Sequence, residues 1–429
     1  MRVLIISRTP WSTSNSFGNT FSNLFGGIED LEIYHICCQH GETNNTLAKK
    51  TFQMTDKSVL KSILKRSSET GWCVENVGNE SSNPYNTEVS ETAAKKKKTI
   101  AYFARDLIWK LGSWKQDKSF LDFLAEANPD VLYLPIYSSV YMCKVQSYVA
   151  KRLNVPVVGH ISDDVFSSWT RPSLLSKLYK RTLHKNLKAL IKRCSYLEVF
   201  AENMKREYEA ALGVRCHLIG KGVDIAKIPM GPYLDANRNP IHFVYTGNIG
   251  SGRGMMLYRI GKALEAHGSG TSGVLDIYSA TLLTDEMKKL FEECTCILFH
   301  GAVSAEEVIS IQASADWLVH VEGFTKEVID STRMSFSTKL IDYMMAGKPI
   351  FAVGDSKINS IQVLQSHKVA VVASSEGEIS SAVDLILAGQ VDLTELQRNV
   401  SDYLVSKRNR TTIQEGIYTR LQSLLSEKV

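Results

Sequence analysis

Residues 335–354 read SFSTKLIDYMMAGKPIFAVG. Ser337 and Thr338 are residue types that cap helix N-termini, because their side-chain oxygens take up backbone N–H groups with no partner inside the helix. Good helix formers follow as far as Gly347, a residue type that ends helices in the left-handed region. Ile350–Val353 is then a short, wholly apolar run. A helix feeding such a strand is half of a βαβ unit, the building block of parallel sheets covered on both faces. The chemistry of the segment is as specific as its shape. Free amides at a helix start bind phosphate, and Lys339 adds a cation there. Asp342 lies one turn on: either its carboxylate accepts hydrogen bonds from ribose hydroxyls, or Lys339 and Asp342 are incidental charges on a capped surface helix.

The same alternation runs outward in both directions. Strands are expected at Val3–Ser7, Leu31–Cys37, Val131–Leu134, Val155–His160, Tyr196–Phe200 and His217–Ile219. A second series covers Ile241–Thr246, Val274–Tyr278, Ile297–His300, Trp317–Val321, Ile350–Val353 and Val369–Val372. Helical stretches separate most of them, which predicts two doubly wound α/β domains in tandem. Residues 66–98 are rich in Ser, Asn, Thr and Glu and read as a flexible insertion. Residues 230–240, MGPYLDANRNP, read as the linker. The expected domains are therefore 1–230 and 231–404, with a C-terminal helix in 405–429 packing back on the first.

The chain has 429 residues, 44% of them hydrophobic and 22% charged, which excludes disordered, collagenous and disulfide-scaffold proteins. The net charge of +5 is too mild for a nucleic-acid binder. It is uneven, however. Residues 1–225 hold 31 Lys/Arg against 22 Asp/Glu, and residues 226–429 hold 19 against 23. The eight cysteines include no C-x-x-C pair and no zinc spacing, so no metal site and reduced thiols are expected. MRVLIIS is followed directly by Arg8 and reads as a first strand, not a secretory signal. With no apolar run of about 18 residues, no span is expected and the setting is cytoplasmic.

Three further segments carry polar residues past the ends of apolar strands, where open α/β sheets bind ligands. FVYTGNIGSGRG (243–254) is a strand with a Gly-rich loop holding Gly247, Asn248 and Arg253. SNSFGNTFSNLF (14–25) follows the first strand; it is either an ordinary βα turn or a ligand loop, with Gly18 and Asn19 as its candidate contacts. VPVVGHISDDVFSSW (155–169) places His160, Asp163 and Asp164 in a loop after a strand. His160 is either a ligand contact in the crevice or a satisfied core histidine. The two aspartates either do general-base work there or cap a helix. No DxD pair suggests a metal-bound diphosphate. Finally, 171–193 holds eight Lys/Arg and no Asp/Glu. On a helix, Leu175, Leu178, Tyr179, Leu183, Leu187 and Leu190 share one face, and Lys177, Arg181, Lys185, Lys188 and Lys192 the other. That basic face is either solvated or attracted to anionic lipid. Lys95–Lys98, with Trp109 and Trp114 behind them, favours the membrane surface.

The 337–350 stretch, STKLIDYMMAGKPI, resembles the nucleotide-sugar signature of family-four-like retaining glycosyltransferases of the GT-B fold, in the bacterial polysaccharide branch. LIGKGVD (218–224), the 243–254 loop and HGAVSAEEVISIQASADWLVHVE (300–322) extend the resemblance. It implies two Rossmann-like domains facing a central cleft. It implies Asp342 as the ribose ligand, Ser337, Thr338 and Lys339 as a phosphate cradle, and Gly18, Asn19, Gly247, Asn248 and Arg253 as further donor contacts. His160, Asp163 and Asp164 become the catalytic candidates. The donor is a nucleotide sugar, UDP- or GDP-linked, with no cofactor. The acceptor is a saccharide or lipid-linked saccharide in envelope or exopolysaccharide assembly. Two departures stand out: Asp342 replaces the usual Glu, and Met334 stands where the family often has a second Glu. Asn248 also occupies a common Arg position. An epimerase of the same fold, or a non-catalytic nucleotide-sugar-binding subunit, are the alternatives.

Overall fold

The structure, a computed structural model, describes residues 1–13, 15–65, 69–74, 94–166, 174–229, 239–267 and 272–426. The chain divides into two compact units, Met1–Gly222 with Arg410–Val429, and Val223–Asn409. The sequence reading places these divisions at 230/231 and 404/405. Most of the expected linker, 230–238, lies outside the described residues.

The first unit is built on β1 (Arg2–Ser7), β2 (Glu32–Cys37), β3 (Ala48–Met54), β4 (Gly71–Val74), β5 (Val131–Pro135), β6 (Val157–Ile161), β7 (Tyr196–Val199) and β8 (Cys216–Leu218). Their order is β4-β3-β2-β1-β5-β6-β7-β8. All pairs are parallel except β3 with β4. Val3–Ile6 and Val131–Leu134 have no exposed surface, as continuous apolar runs require when helices cover both faces. The strand order reverses between β1 and β5, and such a switch point opens a crevice beyond the C-terminal strand ends.

β3 and β4 have no counterpart in the sequence expectation. Lys49 and Lys50 interrupt the apolar run of β3, and their ammonium groups pair with Glu32 and Glu126 while Phe52 and Met54 are buried. β4 lies inside the stretch read as a flexible insertion, and Ala94–Leu111 is a helix that begins within it. That expectation is corrected there, and 66–68 and 75–93 lie outside the described residues. Trp109 and Trp114 are corrected too. Both are buried, Trp109 Nε1 donating to Asp56 Oδ1 at 2.6 Å and Trp114 Nε1 to the Trp109 carbonyl at 2.7 Å.

Helix Arg410–Ser426 belongs to the first unit. Ile417, Leu421 and Leu424 enter the core beside Val3, Ile5, Val131 and Tyr133. Gln414 Nε2 donates to the Asn23 carbonyl at 2.8 Å. Arg420 donates from Nε and Nη2 to Glu198 Oε1, while Tyr133 donates to Glu198 Oε2. Glu198, in β7, is fully buried, so Arg420 is what makes a carboxylate tolerable there.

The second unit is a six-stranded parallel sheet: β9 (Ile241–Thr246), β10 (Gly273–Tyr278), β11 (Ile297–Gly301), β12 (Trp317–Val321), β13 (Ile350–Val353) and β14 (Val371–Ala373). The order is β11-β10-β9-β12-β13-β14, reversing between β9 and β12. One core cluster holds Phe243, Leu257, Ile277 and Val319, and another holds Leu340, Ile341, Ile361 and Leu404. No helix among the described residues is long and apolar enough to cross a membrane.

Removing Arg420 leaves Glu198 charged and buried without its partner. Arg420→Ala is expected to lower unfolding stability by about 3–5 kcal/mol. Urea denaturation measures this, and hydrogen exchange should show the C-terminal helix opening first. A loss below about 1 kcal/mol would contradict the role given to this pair.

Candidate functional site

In the second unit, β9 ends at Thr246 and residues 247–252 lead into helix Arg253–Ala266. Gly247 has φ 144°, and a Cβ there would stand 2.3 Å from Lys339 Nζ. Only glycine leaves room for that ammonium group under the loop. Lys339 Nζ donates to the Thr246 carbonyl at 2.7 Å and lies 4.9 Å from the centroid of the Tyr245 ring. The Thr246 hydroxyl is held in turn by Gln312 Nε2 at 2.9 Å and by Tyr343 at 3.2 Å. Burial and the neighbouring Arg253 push Lys339 down to about 8, against the pull of Glu322 and Asp342.

Arg253, the first residue of its helix, donates from Nη2 to Glu322 Oε2 at 2.8 Å and from Nε to the same oxygen and to the Val321 carbonyl, both at 3.2 Å. Its Nη1 makes no hydrogen bond to a described residue. Glu322 is the first residue past β12 and is buried; desolvation raises its pKa, while Arg253 counters. His320, on β12, is buried; its Nε2 makes no hydrogen bond and lies 3.7 Å from Glu322 Oε1, and desolvation pushes it down to about 3, so the ring is neutral. Two cations and one carboxylate thus meet at the C-terminal ends of the switch-point strands.

The other predicted residues of this unit surround that cluster. Asn248 is exposed and closes the loop, its Oδ1 accepting from Gly250 N at 2.6 Å and its carbonyl from the Tyr245 hydroxyl. Asp342 is exposed, one turn into the short helix Lys339–Met345. The expected side-chain cap is corrected. Thr338 is the residue before this helix, but its side chain makes no cap bond; Ile341 N donates instead to the Thr338 carbonyl. Ser337 N donates to Ser360 Oγ at 2.9 Å. A cavity of about 550 Å³ opens beside the loop, between Thr281, Phe291, Phe299 and Gly301, past the ends of β10 and β11.

In the first unit the structure separates the predicted residues. His160 is not in a loop but inside β6, 3% exposed, with Nδ1 at 3.1 Å from the Tyr133 hydroxyl. Phe21 and Phe200 pack on its ring, and burial pushes it down to about 3. It is a neutral core histidine at the end of the Tyr133–Glu198–Arg420 chain. Asp164 Oδ1 accepts from the Tyr208 hydroxyl at 2.7 Å and from Phe166 N at 2.9 Å, whereas Asp163 is exposed. A Cβ on Gly18 would stand 1.9 Å from the Ser12 carbonyl oxygen, so chain packing fills the space expected for a ligand. Asn19 is exposed in the first turn of helix Ser16–Phe25.

Sequence reasoning missed Glu322, Tyr245 and Gln312. For Glu322 a positional signal existed: a carboxylate directly after the buried strand WLVHV stands where the crevice opens.

The structure is similar to that of HepE from Anabaena in complex with UDP and glucose, at 12% identity and a TM-score of 0.62, over 99% of this chain and 100% of that one. It is similar to the lipopolysaccharide outer core galactosyltransferase WaaB, at 13% identity and a TM-score of 0.57, over 98% and 100% of the two chains. It is also similar to an α,α-trehalose 6-phosphate synthase from Burkholderia multivorans, at 8% identity and a TM-score of 0.58, over 100% and 97%. No family model and no curated protein matches the chain. The likeness covers both units and shows the fold: two parallel-sheet α/β domains of the GT-B class.

Lys339 gives the site a pH signature. Lys339 loses its proton near pH 8, below the ordinary 10.5, so an anion placed at this loop would face one cation fewer above that value. UDP, used as a diphosphate probe, is therefore expected to bind more weakly as pH rises through about 8. Calorimetric titrations of wild type and Lys339→Met check this, since the variant should bind more weakly and lose the dependence. An identical pH profile in the variant would remove Lys339 from the site.

Proposed function

We propose that the chain is a glycosyltransferase that takes a sugar from a UDP- or GDP-sugar, held by the second unit, and transfers it to a saccharide or lipid-linked acceptor, with retention of configuration. The observation that carries this reading is the convergence of Arg253 and Lys339 on the loop that follows β9. Breaking the sugar–phosphate bond leaves negative charge on the diphosphate. Prepositioned cations stabilise that charge where it develops. Glu322 fixes the guanidinium by two hydrogen bonds and leaves Nη1 to the ligand. Asp342, exposed and four residues C-terminal to Thr338, is the ribose contact, and the neighbouring cavity takes the base. The similarity to a protein crystallised with UDP and glucose supports the nucleotide assignment.

Envelope or exopolysaccharide assembly at the cytoplasmic face of a membrane is the setting we infer. Helix Leu174–Ile191 buries Tyr179, Leu183, Leu187 and Leu190 but exposes Leu174, Leu175 and Leu178. Ile100, Phe103, Leu107 and Leu111 on helix Ala94–Leu111 are exposed as well. With Lys177, Arg181, Lys185 and Lys188, these residues suit an anionic lipid surface, each cation contributing about 1 kcal/mol. Liposome co-sedimentation should show binding that needs anionic lipid and weakens with salt. Wild type that ignores such vesicles at low salt would favour a soluble acceptor.

The function itself is tested by incubating the protein with UDP-, GDP- and ADP-sugars and following both nucleotide and sugar. Release of UDP or GDP with transfer or hydrolysis of the sugar is expected, and it should persist in excess EDTA. A changed sugar nucleotide would indicate an epimerase; binding without turnover would indicate a binding subunit. Asp342→Ala should weaken nucleotide binding about tenfold, the worth of hydrogen bonds to a charged acceptor. Asp342→Glu should retain it.

A further inference from the structure

The first unit holds a second cluster of cations that the donor site does not use. A cavity of about 580 Å³ opens past the C-terminal ends of β1, β2 and β3. Arg8 follows β1, His40 follows β2, and Lys57 and Lys61 lie on helix Asp56–Lys65 that follows β3. Arg105, from helix Ala94–Leu111, and Tyr141, from helix Val140–Leu153, close the other side, and Trp72 on β4 lines the rim. None of Arg8, Lys57, Lys61 and Arg105 forms an ion pair with a described residue. Among the described residues Asp56 is the one carboxylate lining the cavity, and its Oδ1 already accepts from Trp109 Nε1.

Arg105 packs against two aromatic rings. Its guanidinium lies 4.6 Å from the Tyr141 ring centroid and 5.3 Å from that of Tyr102, and its Nε is buried without a hydrogen-bond partner. Two aromatic rings thus hold in place a guanidinium that makes no hydrogen bond to a described residue. The described lining therefore sets four cations against one engaged carboxylate. The cavity sits at the crevice edge of the sheet, next to the β1/β5 switch point, where ligands of such folds bind.

We propose that this cavity takes a phosphate group on the acceptor, so that the acceptor is a phosphorylated saccharide. Guanidinium groups match phosphate oxygens in paired hydrogen bonds, and the two lysines add charge without fixed geometry. Trp72, 42% exposed, offers a flat apolar face to the sugar ring. The assignment rests on the glycosyltransferase reading for the word acceptor, but the binding itself does not depend on it. The phosphate has two sources: a soluble sugar phosphate, or the diphosphate of a lipid-linked sugar.

Calorimetry on the full chain tests the proposal with three probes: glucose, glucose 6-phosphate, and a farnesyl-diphosphate-linked glucose in detergent micelles. UDP is titrated separately. At least one phosphorylated probe should bind about tenfold or more tightly than glucose. The probe that does so identifies the source. Arg8→Gln with Arg105→Gln should remove that preference and leave UDP affinity unchanged, the latter also showing that the variant is folded. Should the double variant lose UDP binding as well, Arg105→Lys, which keeps the charge, is expected to bind both ligands. Glucose binding as well as both phosphorylated probes, no phosphorylated probe binding, or a preference that survives the double substitution would each overturn the proposal. Failure of UDP to bind wild type would instead count against the donor reading, with the acceptor cavity judged by its own probes.

Discussion

The ammonium group of Lys339 is the constraint on which the second unit's crevice edge is built. It is drawn under the loop by the Thr246 carbonyl, and a side chain at position 247 would exclude it. Tyr245 faces it, and Thr246 is fixed by Gln312 and Tyr343 from two different helices. A cation held in this way costs desolvation, which is why its proton is loosened. The same cost is what an incoming anion relieves. Arg253 shows a second solution to the same problem, since a buried carboxylate, Glu322, offsets its charge.

The two units use one architectural rule for different chemistry. Each is a parallel sheet with a strand-order reversal, and each gathers charged side chains past the C-terminal strand ends. In the second unit the cations are few, partly buried and fixed by hydrogen bonds. In the first unit they are more numerous, and only Arg105 is fixed by aromatic neighbours. A tightly organised pair of cations suits a compact anion, as the proposed nucleoside-diphosphate site requires. A looser, more positive cavity suits a larger ligand that carries its own negative charge.

Much of this was legible in the sequence because parallel strands buried on both faces are apolar throughout. VLYL, IHFVYT and WLVHV declare themselves, and the twelve strands expected from such runs all have counterparts in the structure. β3 escaped because two lysines at its exposed start break the run, and β4 because four residues in a polar stretch carry no period. In the site, Gly247, Arg253 and Lys339 were legible because they belong to contiguous segments with recognisable loop and helix-start chemistry. For Glu322 the position after a buried strand was legible, but its role was not, because its pairing with Arg253 spans 69 residues and only the sheet order brings them together. His160 was misplaced for the opposite reason: an imidazole inside the run VVGHI is part of the strand, and the strand is buried on both faces. Trp109 and Trp114 misled in the same way, since large aromatic groups near lysines fit a membrane surface and a core equally well until their partners are known.

The central claim is that the Gly247 loop, Arg253 and Lys339 form a nucleoside-diphosphate site. The most direct measurement is a crystal structure determined with UDP bound. The account predicts the diphosphate between the loop and Lys339 Nζ, within hydrogen-bond reach of Arg253 Nη1, and the ribose at Asp342. UDP bound elsewhere on the second unit, or no bound nucleotide at saturating concentration, would contradict it.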